Sequence, residues 1–170
     1  MGIQFETDYN METLTAMAKG LRKTVRKKRS RRVHIFAAVV LILGLLTILA
    51  TVAGGVSGVV TLLAMLVVIL VSLFEDKLNA WFARKRLLPG TEHAVATFEE
   101  DGYVSATGVT ESRFSYAQIV AVAETTRYFV FALSSHHTQA YDKRNIRGGS
   151  VEDFRAFIAE KTGKPIANIK

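Results

Sequence analysis

The sequence contains no cysteine. This absence excludes disulfide bonds, zinc sites with thiolate ligands and cysteine nucleophiles. The phosphate-binding loop motif G-x-x-x-x-G-K-[ST] is also missing. Several common kinds of enzyme site are therefore ruled out before any other pattern is considered.

The groups that remain form no recognisable catalytic or metal-binding pattern. His136 and His137 are adjacent, so their side chains point apart, and no further ligand stands at metal-binding spacing. The acidic residues 99–101 precede Gly102 and are predicted to form a solvated turn. Residues 147–150 (Arg-Gly-Gly-Ser) precede a predicted helix, where they either hold a phosphate or form a loop with a helix N-cap. We therefore expect no enzyme activity, no cofactor and no metal.

Charged residues are absent from residues 35–74, a run of 40 positions. One straight helix of this length would extend about 60 Å, whereas the hydrocarbon core of a bilayer is only about 30 Å thick. Two helices joined by a turn fit better, and we predict transmembrane spans near 33–51 and 57–74. Gly54, Gly55 and Gly58 mark the hairpin turn. The alternative for Gly54 and Gly58 is a G-x-x-x-G helix-packing motif.

Positive charge is concentrated just before the first span. Residues 19–32 hold nine of the 22 basic residues and no acid, whereas 13 basic residues face 15 acidic ones elsewhere. A nucleic-acid-binding domain would spread its basic residues over a folded face, so DNA and RNA are not expected as partners. The positive-inside rule instead places both termini in the cytoplasm. Anionic lipids should attract these basic residues at the membrane surface: Lys19, Arg22, Lys23, Arg26, Lys27, Lys28, Arg29, Arg31, Arg32, Arg84, Lys85 and Arg86.

Shorter patterns flank the two predicted spans. Residues 3–9 alternate apolar and polar side chains, as in a half-buried strand, and Asn10 is a candidate N-cap for an amphipathic helix. That helix packs either on the cytoplasmic part of the protein or on the membrane surface. Trp81 and Phe82 suit the membrane interface, although Phe82 is equally compatible with a protein core.

The C-terminal half is predicted to be an antiparallel sheet closed by a helix. Short alternating segments that are separated by turns predict strands at 94–98, 103–107, 109–114, 119–124, 128–133 and 138–141. Ser150 and Asp153 stand at capping-box spacing at the start of the last amphipathic helix. Strands followed by such a helix are typical of a pleckstrin-homology-like domain.

Several stretches in this half carry a family resemblance. They are Val-Ala-Thr-Phe at 95–98, Gly-Tyr-Val at 102–104, Phe-Ser-Tyr-Ala-Gln-Ile at 114–119, Arg-Tyr-Phe-Val-Phe at 127–131 and Glu-Asp-Phe-Arg at 152–155. Together with the order of parts, they resemble the YcxB-like membrane proteins. The family often has proline before a basic residue where this chain has Asp142 and Lys143. The resemblance implies a membrane-anchored, pleckstrin-homology-like cytoplasmic domain, and it implies no catalytic residues.

These patterns combine into a membrane α + β fold. We predict a two-helix transmembrane hairpin with a small cytoplasmic antiparallel sheet or partial barrel, capped by a C-terminal helix. The predicted segments are an N-terminal strand, helix and basic stretch (1–32), the hairpin (33–74), an amphipathic linker (75–90) and the cytoplasmic domain (91–170).

The function that follows from this architecture is binding at a membrane. We expect a multi-pass protein of the bacterial cytoplasmic (plasma) membrane, which presents its domain to a protein partner or a lipid headgroup. An accessory or immunity-type role, protecting the envelope or assisting a transporter, is the alternative, by analogy of fold alone.

Overall fold

The computed structural model describes residues 2–51 and 56–169, so Gly54 and Gly55 of the predicted turn lie outside it. The helices are α1 (Met11–Lys23), α2 (Lys27–Thr51), α3 (Val56–Leu73), α4 (Glu75–Lys85) and α5 (Val151–Thr162). The strands are β1 (Ile3–Asp8), β2 (His93–Phe98), β3 (Tyr103–Thr107), β4 (Glu111–Phe114), β5 (Ala121–Glu124), β6 (Tyr128–Ala132), β7 (Thr138–Asp142), β8 (Ile146–Arg147) and β9 (Ile166–Asn168). Gly58, the third predicted turn residue, lies inside α3.

The strands form two open sheets. The first has five antiparallel strands in the order β4-β3-β2-β1-β8, and the second has four in the order β7-β6-β5-β9. Within the described residues, no strand at the edge of one sheet pairs with the other sheet. The predicted antiparallel sheet is confirmed, whereas the predicted partial barrel is wrong because this edge pairing is missing. The second sheet is mixed, since β9 runs parallel to β5.

The N-terminal strand lies inside the first sheet. Ile3, Phe5 and Thr7 on β1 are buried, and the residues between them are more exposed, as their alternation predicts. β1 pairs with β2 on one side, where Phe5 lies opposite Ala96, and with β8 on the other. Residues from the start of the chain therefore share a sheet with residues that follow the apolar helices.

The core lies between the two sheets and is closed by α5. The ring centroid of Phe154 on α5 lies 4.6 Å from that of Phe5 and 4.7 Å from that of Phe98, both in the first sheet. It also lies 5.0 Å from Phe129 in the second sheet. Burial of each such ring stabilises the fold by about 1.5–3 kcal/mol. The predicted capping box is confirmed, since the Asp153 amide donates to Ser150 Oγ at 3.1 Å.

Helix α1 packs its apolar face on the rest of the protein. Its predicted N-cap is confirmed, because Asn10 Oδ1 accepts hydrogen bonds from the amides of Glu12 and Thr13. Ala16 and Met17 on α1 pack against the cluster around Val130 in the second sheet. This packing decides between the two positions that the sequence left open for the helix.

Helices α2 and α3 project apolar side chains that nothing in the described chain covers. Phe36 is 70% exposed, Leu49 66% and Leu73 72%. Among the described residues, one helix, Lys27–Ala50, is long and apolar enough to cross a membrane, with a mean hydropathy of 2.7. Ser57–Leu73 reaches that length only when α4 is added, across a bend of 75°. Of the two predicted spans, the first is therefore supported, and the second depends on how the bent pair is counted.

Candidate functional site

The predicted membrane-surface residues lie on α1, α2 and α4 and in the segments next to these helices. Three lie on α1 (Lys19, Arg22, Lys23), Arg26 lies in the connection that follows, and five lie in the first turns of α2 (Lys27, Lys28, Arg29, Arg31, Arg32). Arg84 and Lys85 end α4, and Arg86 follows them. We call this set the basic collar. Sequence reasoning named its members but not the four that share one cleft, which are Arg22, Arg26, Arg29 and Arg86.

Part of the collar lines a cleft of about 570 Å³, which we call the collar cleft. Its walls come from α1, the start of α2, the junction of α3 with α4, and the loop between β6 and β7. The cationic part of the lining is made by Arg22, Arg26, Arg29 and Arg86, and His34 and His136 also line the cleft. The apolar part includes Leu14, Leu21, Val33, Val71, Leu78 and Phe82. The cleft is therefore apolar and cationic at once.

An ion pair fixes one wall of the collar cleft. Arg22 on α1 donates to Asp76 on α4 through two hydrogen bonds, Nε to Oδ1 and Nη2 to Oδ2, each 2.6 Å long. The hydrogen bonding to Asp76 raises the pKa of the Arg22 guanidinium. The pair holds α1 against α4. Because Asp76 neutralises the charge of Arg22, this charge does not attract an external anion.

Glu75 is the acidic residue in the lining of the collar cleft. Its Oε2 lies 3.8 Å from Arg22 Nε and 3.8 Å from His34 Nε2. This oxygen is buried, yet it has no hydrogen-bond partner among the described residues. The junction of α3 with α4 thus holds a buried acceptor without a hydrogen bond from the described residues, close to a guanidinium group and an imidazole ring.

Three arginines of the lining keep their charge uncompensated. Arg26 Nε donates to the backbone carbonyl of Ser135 at 2.6 Å, and a carbonyl is a neutral acceptor. Arg29 and Arg86 form no ion pair with any residue in the described ranges. Unpaired guanidinium groups that share one concave surface make it attractive to anions.

Helix α4 exposes an aromatic face next to the cleft. Trp81 and Phe82 are 44% and 47% exposed, and their ring centroids lie 4.9 Å apart. Lys85 Nζ stands 3.7 Å from the centroid of the Trp81 ring. Because Phe82 is half exposed, its core alternative is wrong. A helix that leaves α3 at a steep bend with aromatic and cationic side chains exposed is suited to a membrane interface.

The other sequence candidates lie apart from one another. His93 pairs with Asp8, and Glu99 pairs with the exposed Arg113. Arg147 lies at the end of β8 and pairs with Glu6, and Ser150 is the N-cap of α5. Within the described residues, no group of three or more His, Cys, Asp and Glu could hold a metal ion.

Sequence reasoning missed the contribution of Glu75 and of the β6–β7 loop to the cleft. Arg22 and Asp76 are far apart in the chain, and His136 reaches the lining from a loop with no motif of its own. The sequence offered one local signal. Glu75 and Asp76 directly follow the charge-free run 35–74, and basic residues precede that run.

Comparison with known proteins adds one match. No protein of curated function and no solved structure matches the chain. The match covers β3 to β8 and most of α5, whereas most of the collar cleft lies before it in the sequence. Residues 98–158 are similar to the YcxB-like protein family, and the predicted resemblance is confirmed over that region.

Proposed function

We propose that the protein is an integral protein of the bacterial cytoplasmic membrane, which holds a YcxB-like interaction domain at the inner face. In this proposal α2 and α3 form a two-span hairpin, and both termini are cytoplasmic. The domain acts as a pleckstrin-homology-like binding module and not as a catalyst. One observation carries the proposal: two exposed apolar helices rise from a basic collar that belongs to the folded domain.

The apolar helices support the anchor. Burial of apolar surface is worth about 25 cal/mol per Å², and side chains such as Phe36 and Leu73 are more than two thirds exposed. A single buried side chain of this size gains about 1.5–3 kcal/mol. Two helices with many such side chains therefore favour a bilayer strongly over water.

The collar supports the orientation. Arg22 and Asp76 tie α1 to the start of α4, so the residues that enter and leave the apolar helices stand on one side. Basic residues near the ends of spans are retained in the cytoplasm. Each collar residue near an anionic surface adds about 1 kcal/mol of attraction.

Cysteine labelling in intact cells tests both points. Because the chain has no cysteine, single variants can be labelled without background. Gly55→Cys in the expected outer turn should react with a membrane-impermeant maleimide in spheroplasts. Glu100→Cys, whose parent side chain is 88% exposed in the domain, should react only after lysis. Recovery of the protein in the soluble fraction, or the opposite labelling pattern, would contradict the proposal.

A further inference from the structure

The collar cleft carries an excess of positive charge. Arg26, Arg29 and Arg86 face it without a carboxylate partner in the described chain, and Arg22 is balanced by Asp76. Glu75 is the acidic side chain of the lining. After Glu75 is counted, the three unpaired guanidinium groups still leave the cleft cationic. The ligand that matches such a surface carries a phosphate or another compact anion, which guanidinium groups bind through charge-assisted hydrogen bonds.

The apolar wall of the cleft continues into the two apolar helices. Val33 on α2 and Val71 on α3 both line the cleft, and they are 52% and 48% exposed. Arg29 stands one helical turn before Val33, a rise of about 6 Å along α2. This step is comparable to the headgroup layer on each side of a bilayer, about 5–8 Å. Cationic and apolar groups thus follow each other in the order that a phospholipid presents its headgroup and acyl chains.

The size of the cleft suits one headgroup. Its volume of about 570 Å³ falls within the roughly 300–1,000 Å³ of typical small-molecule sites. Glu75 also lines it with 27% of its side chain exposed, and a carboxylate accepts a hydrogen bond from a hydroxyl of a bound headgroup. The phosphate of a headgroup matches the guanidinium groups, a neighbouring hydroxyl matches Glu75, and the acyl chains match the apolar wall.

We infer that the collar cleft binds one anionic phospholipid, with the phosphate at Arg26, Arg29 and Arg86 and the acyl chains along Val33 and Val71. This inference rests on the proposed membrane anchoring. It differs from general attraction by the collar, because it assigns the lipid to residues that line the cleft. A lipid is favoured over a protein segment because the cleft opens on apolar side chains that the bilayer surrounds in the proposed orientation.

Lipid retention by the full-length chain tests the site. The purified protein is incubated with phosphatidylglycerol or phosphatidylcholine in a mild detergent, and bound lipid is counted by native mass spectrometry. The wild type should retain about one phosphatidylglycerol and at least tenfold less phosphatidylcholine. The triple variant Arg26→Gln, Arg29→Gln and Arg86→Gln should retain at least tenfold less phosphatidylglycerol, since a single hydrogen bond to a charged group already contributes about as much as a tenfold change in affinity.

The matched control removes the same charge from the collar outside the cleft. Lys27→Gln, Lys28→Gln and Arg31→Gln change exposed residues that do not line it, and this variant should retain lipid within about twofold of the wild type. Equal losses in the two triple variants would overturn the site and assign binding to collar electrostatics alone. Equal retention in both would overturn it as well.

A second variant tests whether lipid binding needs the open volume of the cleft as well as its positive charge. Ser30 lines the cleft, and Ser30→Trp fills part of it while every arginine remains. This variant should also lose phosphatidylglycerol at least tenfold, and full retention would overturn the site. In a lipid-free arm, inorganic phosphate should bind far more weakly than phosphatidylglycerol. Phosphate binding of equal strength would contradict the lipid assignment, because the apolar wall would then contribute nothing.

The same variants are passed through the cysteine-labelling assay, so that two kinds of failure stay distinguishable. Normal insertion with unchanged lipid retention in the cleft variants means that the site is wrong and the anchor is right. A wild-type chain that does not insert means that the anchor itself is wrong, and the lipid site is overturned with it. A thermal unfolding midpoint close to that of the wild type shows that each variant is folded.

Discussion

Arg22 and Asp76 join the first folded helix of the chain to the helix that follows the apolar segment. Both of their hydrogen bonds are 2.6 Å long, and the side chains are 21% and 16% exposed. A bidentate guanidinium–carboxylate pair with this degree of burial is stronger than a typical surface ion pair. It couples the fold of the domain to the position of the apolar helices.

We expect this pair to contribute measurably to stability. A double-mutant cycle with Arg22→Ala and Asp76→Ala should give a coupling energy of about 1.5–3 kcal/mol in denaturant unfolding. The exposed pair of Arg113 and Glu99, with Nη2 3.4 Å from Oε2, serves as the control and should give less than about 1 kcal/mol. Similar coupling energies for the two pairs would contradict the prediction.

Gly20 should reverse the usual effect of a glycine-to-alanine change in a helix. In an exposed helix such a change stabilises by about 1 kcal/mol. At Gly20 the added Cβ would lie only 2.7 Å from Val130 Cγ1, so α1 must move away from the second sheet. We expect Gly20→Ala to lower the free energy of unfolding by about 1–3 kcal/mol. Val130→Ala should restore part of the lost free energy of unfolding in the Gly20→Ala background. Additive effects of the two substitutions would contradict the close approach of Gly20 to Val130.

Local features of the fold were predictable from the sequence. The alternation in β1, the caps at Asn10 and Ser150 and the charge-free run each depend on neighbouring residues. Such signals need no knowledge of which segments meet in space. They placed most helices and strands to within two residues.

Long-range features were not predictable in the same way. The two-residue strand β8 and the three-residue strand β9 are too short for an alternation to show. The place of β1 between β2 and β8 depends on pairings such as Phe5 with Ala96, which no local pattern encodes. The collar cleft has the same origin, because four separate parts of the chain build its walls.

Glu124 should make stability depend on pH in the acidic range. Its carboxylate is 7% exposed and accepts hydrogen bonds from Arg155, at 2.9 and 2.7 Å, and from Lys143, at 2.7 Å. Hydrogen bonding to Arg155, assisted by Lys143, lowers its pKa from 4.5 to about 2. Since the folded pKa lies below the unfolded one, this contribution is present above about pH 5 and is lost as the pH falls towards 2.

The matching experiment follows unfolding from pH 7 to pH 2. The wild type should lose up to about 3 kcal/mol through this group, and Glu124→Gln should remove that part of the dependence. The gap between the two proteins should therefore shrink as the pH falls. Glu100→Gln, at an exposed side chain, should leave the profile parallel to that of the wild type. A gap that stays constant for Glu124→Gln would contradict the assignment.

Gly44 should govern the packing of α2 on α3. A Cβ at this position would lie 2.8 Å from Met65 Sδ and 3.6 Å from Thr61 Cγ2, so the helices approach closely here. Small residues permit such approaches between apolar helices. Because a methionine side chain is flexible, Gly44→Ala should cost little, whereas Gly44→Leu should lower stability in detergent by about 1–3 kcal/mol. Val39→Leu, on an exposed part of α2, is the control and should change the thermal midpoint little. Met65→Ala should restore part of the loss in Gly44→Leu, and a failure to do so would place the cost of the leucine outside the contact between α2 and α3.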